Sequence, residues 1–219
     1  MISIVDYGLG NLGSIQNMLK KLGQPAKIIT DPEQLDKASH IILPGVGAFD
    51  SGMQHLEEHH WIGPLSKRVL VDKIPTLGIC LGMQLMTKSS EEGVLPGLGW
   101  VNATTVRFSA EGGLRIPHMG WNRSDVVKSS VLLPEDGQER RYYFVHSYFV
   151  KVENPADQLL RAQYGTSFTA GFEVGNIIGV QFHPEKSHRF GMELLRSFAT
   201  NFHPQVLDAQ IKGNSVSPA

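Results

Sequence analysis

The only cysteine of the 219-residue chain, Cys80, lies in the sequence Gly-Ile-Cys-Leu-Gly at residues 78–82. An apolar stretch precedes it, and Met83, Leu85 and Met86 follow at helical spacing, which predicts a strand, a tight turn and a helix. This is the thiol counterpart of the Gly-x-Ser-x-Gly elbow, in which small neighbours let the backbone bend sharply and lift the nucleophile into a cleft. The N–H groups and the dipole at a helix start favour the thiolate, which is the nucleophilic form. The alternative is a buried structural cysteine, and Cys80 by itself does not decide between the two.

A second group of catalytic residue types follows the apolar segment at residues 177–182, which predicts a strand ended by Pro184. Because side chains two residues apart on an extended chain point to the same side, His183 and Glu185 are expected to share a face. The carboxylate would then hold one imidazole nitrogen while the other faces the thiol, which supplies nucleophile, base and orienting acid. A surface histidine beside a solvated glutamate is the alternative.

Both motifs, Gly-Ile-Cys-Leu-Gly-Met-Gln at 78–84 and Gln-Phe-His-Pro-Glu-Lys-Ser at 181–187, resemble those of the triad-type (class I) glutamine amidotransferases. Four further segments narrow the resemblance to the glutaminase subunits of imidazole glycerol phosphate synthases. They are Asp-Tyr-Gly-Leu-Gly-Asn at 6–11, Leu-Pro-Gly-Val-Gly-Ala-Phe at 43–49, Pro-His-Met-Gly-Trp-Asn at 117–122 and Tyr-Phe-Val-His-Ser-Tyr at 143–148. The likeness extends from residue 1 to about residue 200 and keeps the order of the family's motifs.

The resemblance implies that Cys80, His183 and Glu185 hydrolyse glutamine to glutamate and ammonia through a thioester, without a cofactor or metal. The backbone N–H donors that it implies for the oxyanion belong to Leu81 and to Val46 or Gly47. In this family the peptide at residues 45–47 is expected to need a signal from a partner before it turns toward the site. The residues implied for binding glutamine are Gln84, Glu92, Ser147 and Tyr148.

The resemblance also implies a heterodimer with a (β/α)₈ cyclase subunit of imidazole glycerol phosphate synthase. That partner would use the ammonia to make imidazole glycerol phosphate and aminoimidazole-carboxamide ribotide in histidine biosynthesis. The residues suggested for the interface and the ammonia exit are Met119, Trp121 and Lys186. Trp and Met are enriched at interfaces, and a core position for Trp121 is the alternative.

One segment departs from the histidine-pathway pattern. The sequence His-Arg-Phe-Gly-Met at 188–192 looks like glutaminases of surface-polysaccharide gene clusters, which supply ammonia to a sugar amidotransferase. The glutaminase chemistry would be the same, and the histidine pathway remains the favoured acceptor. Two other classes stay open, a cysteine peptidase or esterase and a non-catalytic regulatory module.

Two further motifs resemble a dinucleotide-binding pattern and the catalytic histidine segment. Gly8, Gly10 and Gly13 form a Gly-x-Gly-x-x-Gly pattern after the first apolar segment, and Asp31 falls where a ribose-binding acid would stand, so NAD binding is an alternative. The same glycines belong to the amidotransferase pattern, where they allow a tight turn, and that interpretation is favoured. His203 lies in a near copy of the His183 motif that lacks the acid, and it is expected at the surface.

Composition is that of an ordinary cytoplasmic enzyme, with a formal net charge of −1 and 41% hydrophobic residues. A near-neutral chain without a run of Lys and Arg argues against nucleic acid or an acidic membrane as the main partner. One cysteine excludes an internal disulfide. No stretch is apolar and long enough to span a bilayer, and residues 1–6 read as a strand instead of a signal peptide.

The elements that position these residues indicate an α/β fold of the flavodoxin-like, class I glutamine amidotransferase type. Short apolar strands at 1–6, 26–30, 40–43 and 76–79 alternate with helical stretches, which predicts a mostly parallel central sheet with helices on both faces. Strands at 101–108, 141–150, 159–164, 168–174 and 177–182 predict a strand-rich second half, and helical periodicity returns at 190–198. One domain is expected over residues 1–203, followed by a flexible polar tail at 204–219.

Overall fold

The structure, a computed structural model, describes residues 1–202, which form an 11-stranded sheet flanked by helices. The strands are β1 (Ile2–Val5), β2 (Ala26–Ile29), β3 (His40–Leu43), β4 (Thr76–Ile79), β5 (Ala103–Arg107), β6 (His118–Val126), β7 (Arg140–His146), β8 (Tyr148–Val152), β9 (Gln158–Tyr164), β10 (Thr166–Val174) and β11 (Ile177–Val180). The helices are α1 (Leu12–Lys21), α2 (Phe49–Glu58), α3 (Ile62–Ser66), α4 (Leu81–Leu85) and α5 (His188–Thr200).

The sheet has a parallel and an antiparallel half. Strands β2, β1, β3, β4 and β11 are neighbours in this order, and each pair among them is parallel. Beyond β11, the strands β10, β9, β6 and β7 continue the sheet with antiparallel pairing. Strand β8 pairs with both β10 and β5. The predicted α/β architecture with a strand-rich second half is therefore confirmed.

Two hydrophobic cores lie on opposite faces of the parallel strands. One contains side chains from α1 and α5, such as Leu19 and Leu194, and the other contains side chains from α2, α3 and α4, such as Phe49 and Leu85. All residues of β1, β3, β4 and β11 are buried. A strand covered on both faces buries side chains in both directions, which explains why these segments are mostly apolar. Their polar residues, Ser3, His40 and Thr76, are buried as well.

Three elements differ from the prediction. Strand β6 was not predicted, because its nine residues are largely polar and only partly buried. The single strand predicted at 141–150 is two strands, β7 and β8, interrupted at Ser147. The last predicted strand ends at Val180, since the chain turns into a 3₁₀ helix at Pro184–Lys186.

The predicted tail at 204–219 and the residue His203 lie outside the described residues. Within residues 1–202, every helix is too short or too polar to cross a lipid bilayer.

Candidate active site

Cys80 occupies a sharp turn between β4 and α4. Its backbone φ is 53°, a left-handed value that is costly for a residue with a side chain and persists only where the surrounding structure enforces it. The Cys80 N–H donates to the carbonyl of Val180 at 2.8 Å, which ties the turn to β11. The elbow predicted from the sequence is therefore present. Helix α4 is only five residues long, so its dipole is smaller than the sequence suggested.

The glycines on both sides of Cys80 are required by close backbone contacts. A Cβ atom on Gly82 would lie 1.9 Å from the carbonyl oxygen of Leu43 in β3, and one on Gly78 would lie 2.8 Å from the carbonyl oxygen of Gly82. Because both contacts are with backbone atoms, no side-chain rotation relieves them. The elbow thus needs glycine at residues 78 and 82.

His183 and Glu185 form a buried pair beside this elbow. The distance from His183 Nδ1 to Glu185 Oε1 is 2.9 Å, and the two side chains are 3% and 1% exposed. Glu185 lies within the 3₁₀ helix that begins at Pro184, so the pair forms across a turn and not along an extended strand as predicted. The hydroxyl of Ser187 donates to the His183 carbonyl at 2.6 Å and accepts from the Tyr143 N–H at 3.0 Å. Ser187 fixes this turn, a role that the sequence did not indicate.

The other imidazole nitrogen, Nε2 of His183, is buried and has no hydrogen-bond partner among residues 1–202. Burial lowers the pKa of His183, but the neighbouring sulfur of Cys80 and the carboxylate of Glu185 together raise this pKa to about 9. At neutral pH the imidazole is therefore protonated. A positive charge beside the sulfur stabilises the thiolate, so the arrangement can generate a nucleophile and hold a proton for a leaving group.

A cavity of about 330 Å³ opens above the sulfur. It is lined by all the residues that the sequence predicted for catalysis, oxyanion binding and glutamine binding except Glu185, which lies behind His183. The predicted residues that line it are Val46, Gly47, Cys80, Leu81, Gln84, Glu92, Ser147, Tyr148 and His183. Residues separated by more than 100 positions in the chain are thus brought to one site.

The predicted oxyanion donors are not assembled in this conformation. The Leu81 N–H donates to the carbonyl oxygen of Gly45 at 3.3 Å. Because a trans peptide directs its C=O and N–H to opposite sides, the Val46 N–H of the same peptide points away from Leu81. A Cβ on Gly45 would lie 2.5 Å from the Tyr7 hydroxyl, which itself donates to the Pro44 carbonyl at 2.7 Å. The loop is therefore held closely against the elbow.

Two predicted glutamine-binding residues make further hydrogen bonds around the cavity. Glu92 Oε2 accepts from the Phe49 N–H at 2.9 Å, which fixes the end of the 45–49 loop. Gln84 Nε2 donates to the Tyr148 carbonyl and to Gln181 Oε1, both at 3.0 Å. Gln181 was not predicted as a site residue.

Comparison with known proteins agrees with this geometry. The family model for class-I glutamine amidotransferases matches residues 3–202. The chain belongs to this family. The amidotransferase is 52% identical over 198 residues to imidazole glycerol phosphate synthase subunit HisH 2 of Methanococcus maripaludis. The aligned region covers 90% of this chain and 98% of the relative. It is 48% identical over 202 residues to subunit HisH of Bdellovibrio bacteriovorus, with 91% and 99% covered.

Solved structures show the same fold. A crystal structure described as a glutamine amidotransferase has a TM-score of 0.70 at 22% identity and covers 90% of this amidotransferase and 97% of that chain. The structure of PurLQS from Thermotoga maritima has a TM-score of 0.68 at 20% identity, with 90% and 96% covered. The fold expected for a class I glutamine amidotransferase is confirmed.

Two buried histidines extend the hydrogen bonds of the amidotransferase site. His146 Nδ1 lies 2.8 Å from the Tyr148 carbonyl, and its Nε2 lies 2.9 Å from His118 Nδ1. His118 Nε2 accepts from the Asn122 side-chain amide at 3.2 Å. Burial lowers the pKa of His146 to about 3 and that of His118 to about 4, so both are neutral at physiological pH. Neither histidine was predicted to have a chemical role.

The residues predicted for the partner interface lie on the surface of the amidotransferase. Met119 and Trp121 are 63% and 48% exposed and lie two residues apart on β6, so they share a face. The Trp121 ring stacks on His188 at 5.2 Å between centroids, and Lys186 Nζ lies 5.7 Å from the centroid of the Tyr143 ring. A core position for Trp121 is excluded.

The glycine pattern near the N-terminus forms the turn between β1 and α1, where Gly8 and Gly10 have φ values of 92° and 134°. Asp31 caps the 3₁₀ helix Pro32–Lys37, and its Oδ1 accepts from the Glu33 N–H at 2.9 Å. The carboxylate of Asp31, which suggested ribose binding, therefore accepts a hydrogen bond within its own turn.

Proposed function

We propose that this amidotransferase hydrolyses glutamine to glutamate and ammonia with Cys80 as nucleophile, His183 as acid and base, and Glu185 as the group that orients His183. The observation that carries the proposal is the buried His183–Glu185 pair, whose free Nε2 lies beside a cysteine at a strained elbow that opens into the cavity. Glutamine would be held by Gln84, Glu92, Ser147 and Tyr148, which line that cavity.

The reaction follows from the arrangement of charges. The Cys80 thiolate attacks the side-chain amide carbon of glutamine, and the protonated His183 gives its proton to the departing ammonia, which leaves a γ-glutamyl thioester. The neutral imidazole then takes a proton from water. The resulting hydroxide attacks the thioester, glutamate leaves, and the thiolate beside a protonated His183 is regenerated.

Both steps build negative charge on the side-chain carbonyl oxygen, first of the amide and then of the thioester, and two N–H donors would stabilise it. We infer that the Gly45–Val46 peptide turns over for catalysis, which frees the Leu81 N–H and brings a second donor from Val46 or Gly47. One missing donor costs roughly 3 kcal/mol of transition-state stabilisation. While the Gly45 carbonyl occupies the Leu81 N–H, the isolated chain is thus expected to hydrolyse glutamine slowly.

The partner is the cyclase subunit of imidazole glycerol phosphate synthase, with which the chain forms a heterodimer in histidine biosynthesis. Identity of 42% to 52% to several imidazole glycerol phosphate synthase subunits over about nine-tenths of the chain supports this assignment. Met119 and Trp121 would anchor the interface, with Lys186 at the ammonia exit. We place the enzyme in the cytoplasm, where both glutamine and the nucleotide substrate of such a partner are available.

The test is glutamate formation from glutamine, measured with and without the cyclase subunit and its nucleotide ligand. Strong stimulation by the loaded cyclase is expected. Glutamine turnover that the cyclase does not stimulate would favour the second acceptor suggested by residues 188–192, a sugar amidotransferase. No turnover under either condition would contradict the proposed activity.

A further inference from the structure

Gln181 contacts the sulfur of the proposed nucleophile. Its side chain is fully buried just after β11, and its Nε2 lies 3.7 Å from Cys80 Sγ, within the range of an N–H···S hydrogen bond. On its other side, Oε1 lies 3.0 Å from Gln84 Nε2. Gln181 therefore links the elbow to the glutamine-binding side of the cavity.

The direction of these hydrogen bonds is fixed by a backbone carbonyl. The carbonyl of Tyr148 can only accept, so the Gln84 atom that faces it must be the amide nitrogen. The same nitrogen faces Gln181, which must then present its oxygen to Gln84. Its own N–H groups are left to face Cys80. The amide of Gln181 thus donates to the sulfur and cannot accept from it.

The carbonyl that sets this direction is itself held in place. Its second hydrogen bond comes from His146 Nδ1 at 2.8 Å, and the neutral His146 is held in turn by His118. The carbonyl oxygen therefore accepts from two buried donors, which use both of its lone pairs.

We propose that Gln181 stabilises the thiolate of Cys80 and orients its sulfur by donating an N–H hydrogen bond. This inference rests on the proposed function, since it takes Cys80 as the nucleophile. A donor gains more from a negatively charged sulfur than from a neutral thiol or a thioester, because charge strengthens the acceptor. Gln181 therefore shifts the balance toward the reactive form before glutamine arrives.

Several titratable groups also face the sulfur or line its cavity. His183 faces the sulfur from the segment after β11, with Glu185 behind it, and Tyr7 faces it from the end of β1. Burial raises the pKa of Tyr7, so this phenol stays neutral in the range tested. His146 and Glu92 line the same cavity. Gln181 carries no charge, so its replacement changes a hydrogen bond and not the count of charges.

The test is alkylation of Cys80 by iodoacetamide across a range of pH, followed by mass spectrometry. Cys80 is the only cysteine, so every modified molecule reports on this sulfur. Gln181→Met keeps the length of the side chain and removes the donor. We expect the midpoint of the alkylation profile to move up by roughly one pH unit, with a high-pH rate near that of the wild type.

Gln158→Met is the matched control, because it removes an amide hydrogen bond of 3.0 Å to Thr169 away from the active site. Its midpoint is expected to stay at the wild-type value. An unmoved midpoint in Gln181→Met, with slower alkylation at every pH, would overturn the proposal and leave Gln181 a packing role only.

Thermal unfolding shows whether Gln181→Met is folded. If it is not, Gln84→Met decides, since it removes the donor that orients Gln181. An upward shift of the alkylation midpoint in Gln84→Met, smaller than the one expected for Gln181→Met, supports the proposal. An unmoved midpoint overturns it. Glutamine turnover by the wild type is measured separately, so a failure of the proposed function is distinguished from a failure of this inference.

Discussion

Replacing Glu185 by Gln keeps the size of the side chain but removes the charge that faces His183 at 2.9 Å in a fully buried site. Burial lowers the pKa of His183, and Cys80 and Glu185 outweigh it and raise this pKa from 6.5 to about 9. The folded protein therefore binds this proton more tightly than the unfolded chain. The stabilisation is complete below about pH 6.5 and is lost as the pH rises through about 9.

The expected loss of unfolding free energy follows from the size of the His183 pKa shift. A rise of this size corresponds to about 3 kcal/mol, which Glu185 shares with Cys80, so its part is on the order of 1–2 kcal/mol. Relative to the wild type, Glu185→Gln is expected to lose this amount of unfolding free energy near pH 6. The difference should shrink toward zero above about pH 9, where the wild-type imidazole is neutral as well.

Urea unfolding followed by circular dichroism between about pH 6 and pH 10 measures this difference. Glu153→Gln is the control, because Glu153 pairs with Lys88 at the surface and such pairs contribute little. Its effect is expected to be small and independent of pH over the same range. A Glu185→Gln difference that stays constant with pH, or grows as the pH rises, would refute the argument that Glu185 supports a protonated His183.

Three other substitutions test the elbow and the interface, and a fourth, Gly13→Ala, is the control for Gly82→Ala. Cys80→Ser is expected to reduce glutamine hydrolysis by at least about 10³-fold with little change in the unfolding midpoint, and substantial residual activity would contradict the nucleophile assignment. Gly82→Ala should destabilise the fold by more than about 3 kcal/mol in urea unfolding, because its Cβ would overlap the Leu43 carbonyl. Gly13→Ala, with no atom within 4 Å of its added Cβ, should change stability by less than about 1 kcal/mol, and equal losses would contradict the contact argument. Trp121→Ala should leave the stability of the isolated chain unchanged and weaken binding of the cyclase subunit by about 2 kcal/mol in calorimetry, and unchanged affinity would exclude an anchoring role.

The parts of the site that could be predicted are those encoded by short segments. Cys80 lies between two glycines and His183 lies two residues before Glu185, so the spacing within each short segment identifies the group. The local geometry was less predictable, because the His183–Glu185 pair forms across a turn and not along a strand. The contacts of Gln181 could not be predicted in this way, because they join residues 97 and 101 positions apart in the chain. Such contacts depend on which strands become neighbours, and β4 and β11 are paired only in the folded sheet.

Strand β6 and the strand break at Ser147 were not predicted for a similar reason. Strand β6 lies in the antiparallel half, where one face is only partly covered, so its sequence lacks the mostly apolar character of the fully buried strands β1 and β4. Ser147 interrupts an apolar segment that reads as one strand, and the interruption brings Ser147 to the cavity. A site-forming break of this kind has no local sequence signal, because the residues on both sides are good strand formers.

In the proposed site, the nucleophile is held in place by many more contacts than the oxyanion donors. The nucleophile is fixed by β4, β11 and two obligatory glycines, so moving it would disrupt the central sheet. The oxyanion donors depend on the 45–47 loop, where the Leu81 contact is a single hydrogen bond of 3.3 Å. Exchanging one such bond costs about 1 kcal/mol, far less than unfolding a domain. A partner can therefore control the rate through this loop while Cys80, His183 and Glu185 stay in place, which would prevent glutamine from being hydrolysed when no acceptor for the ammonia is present.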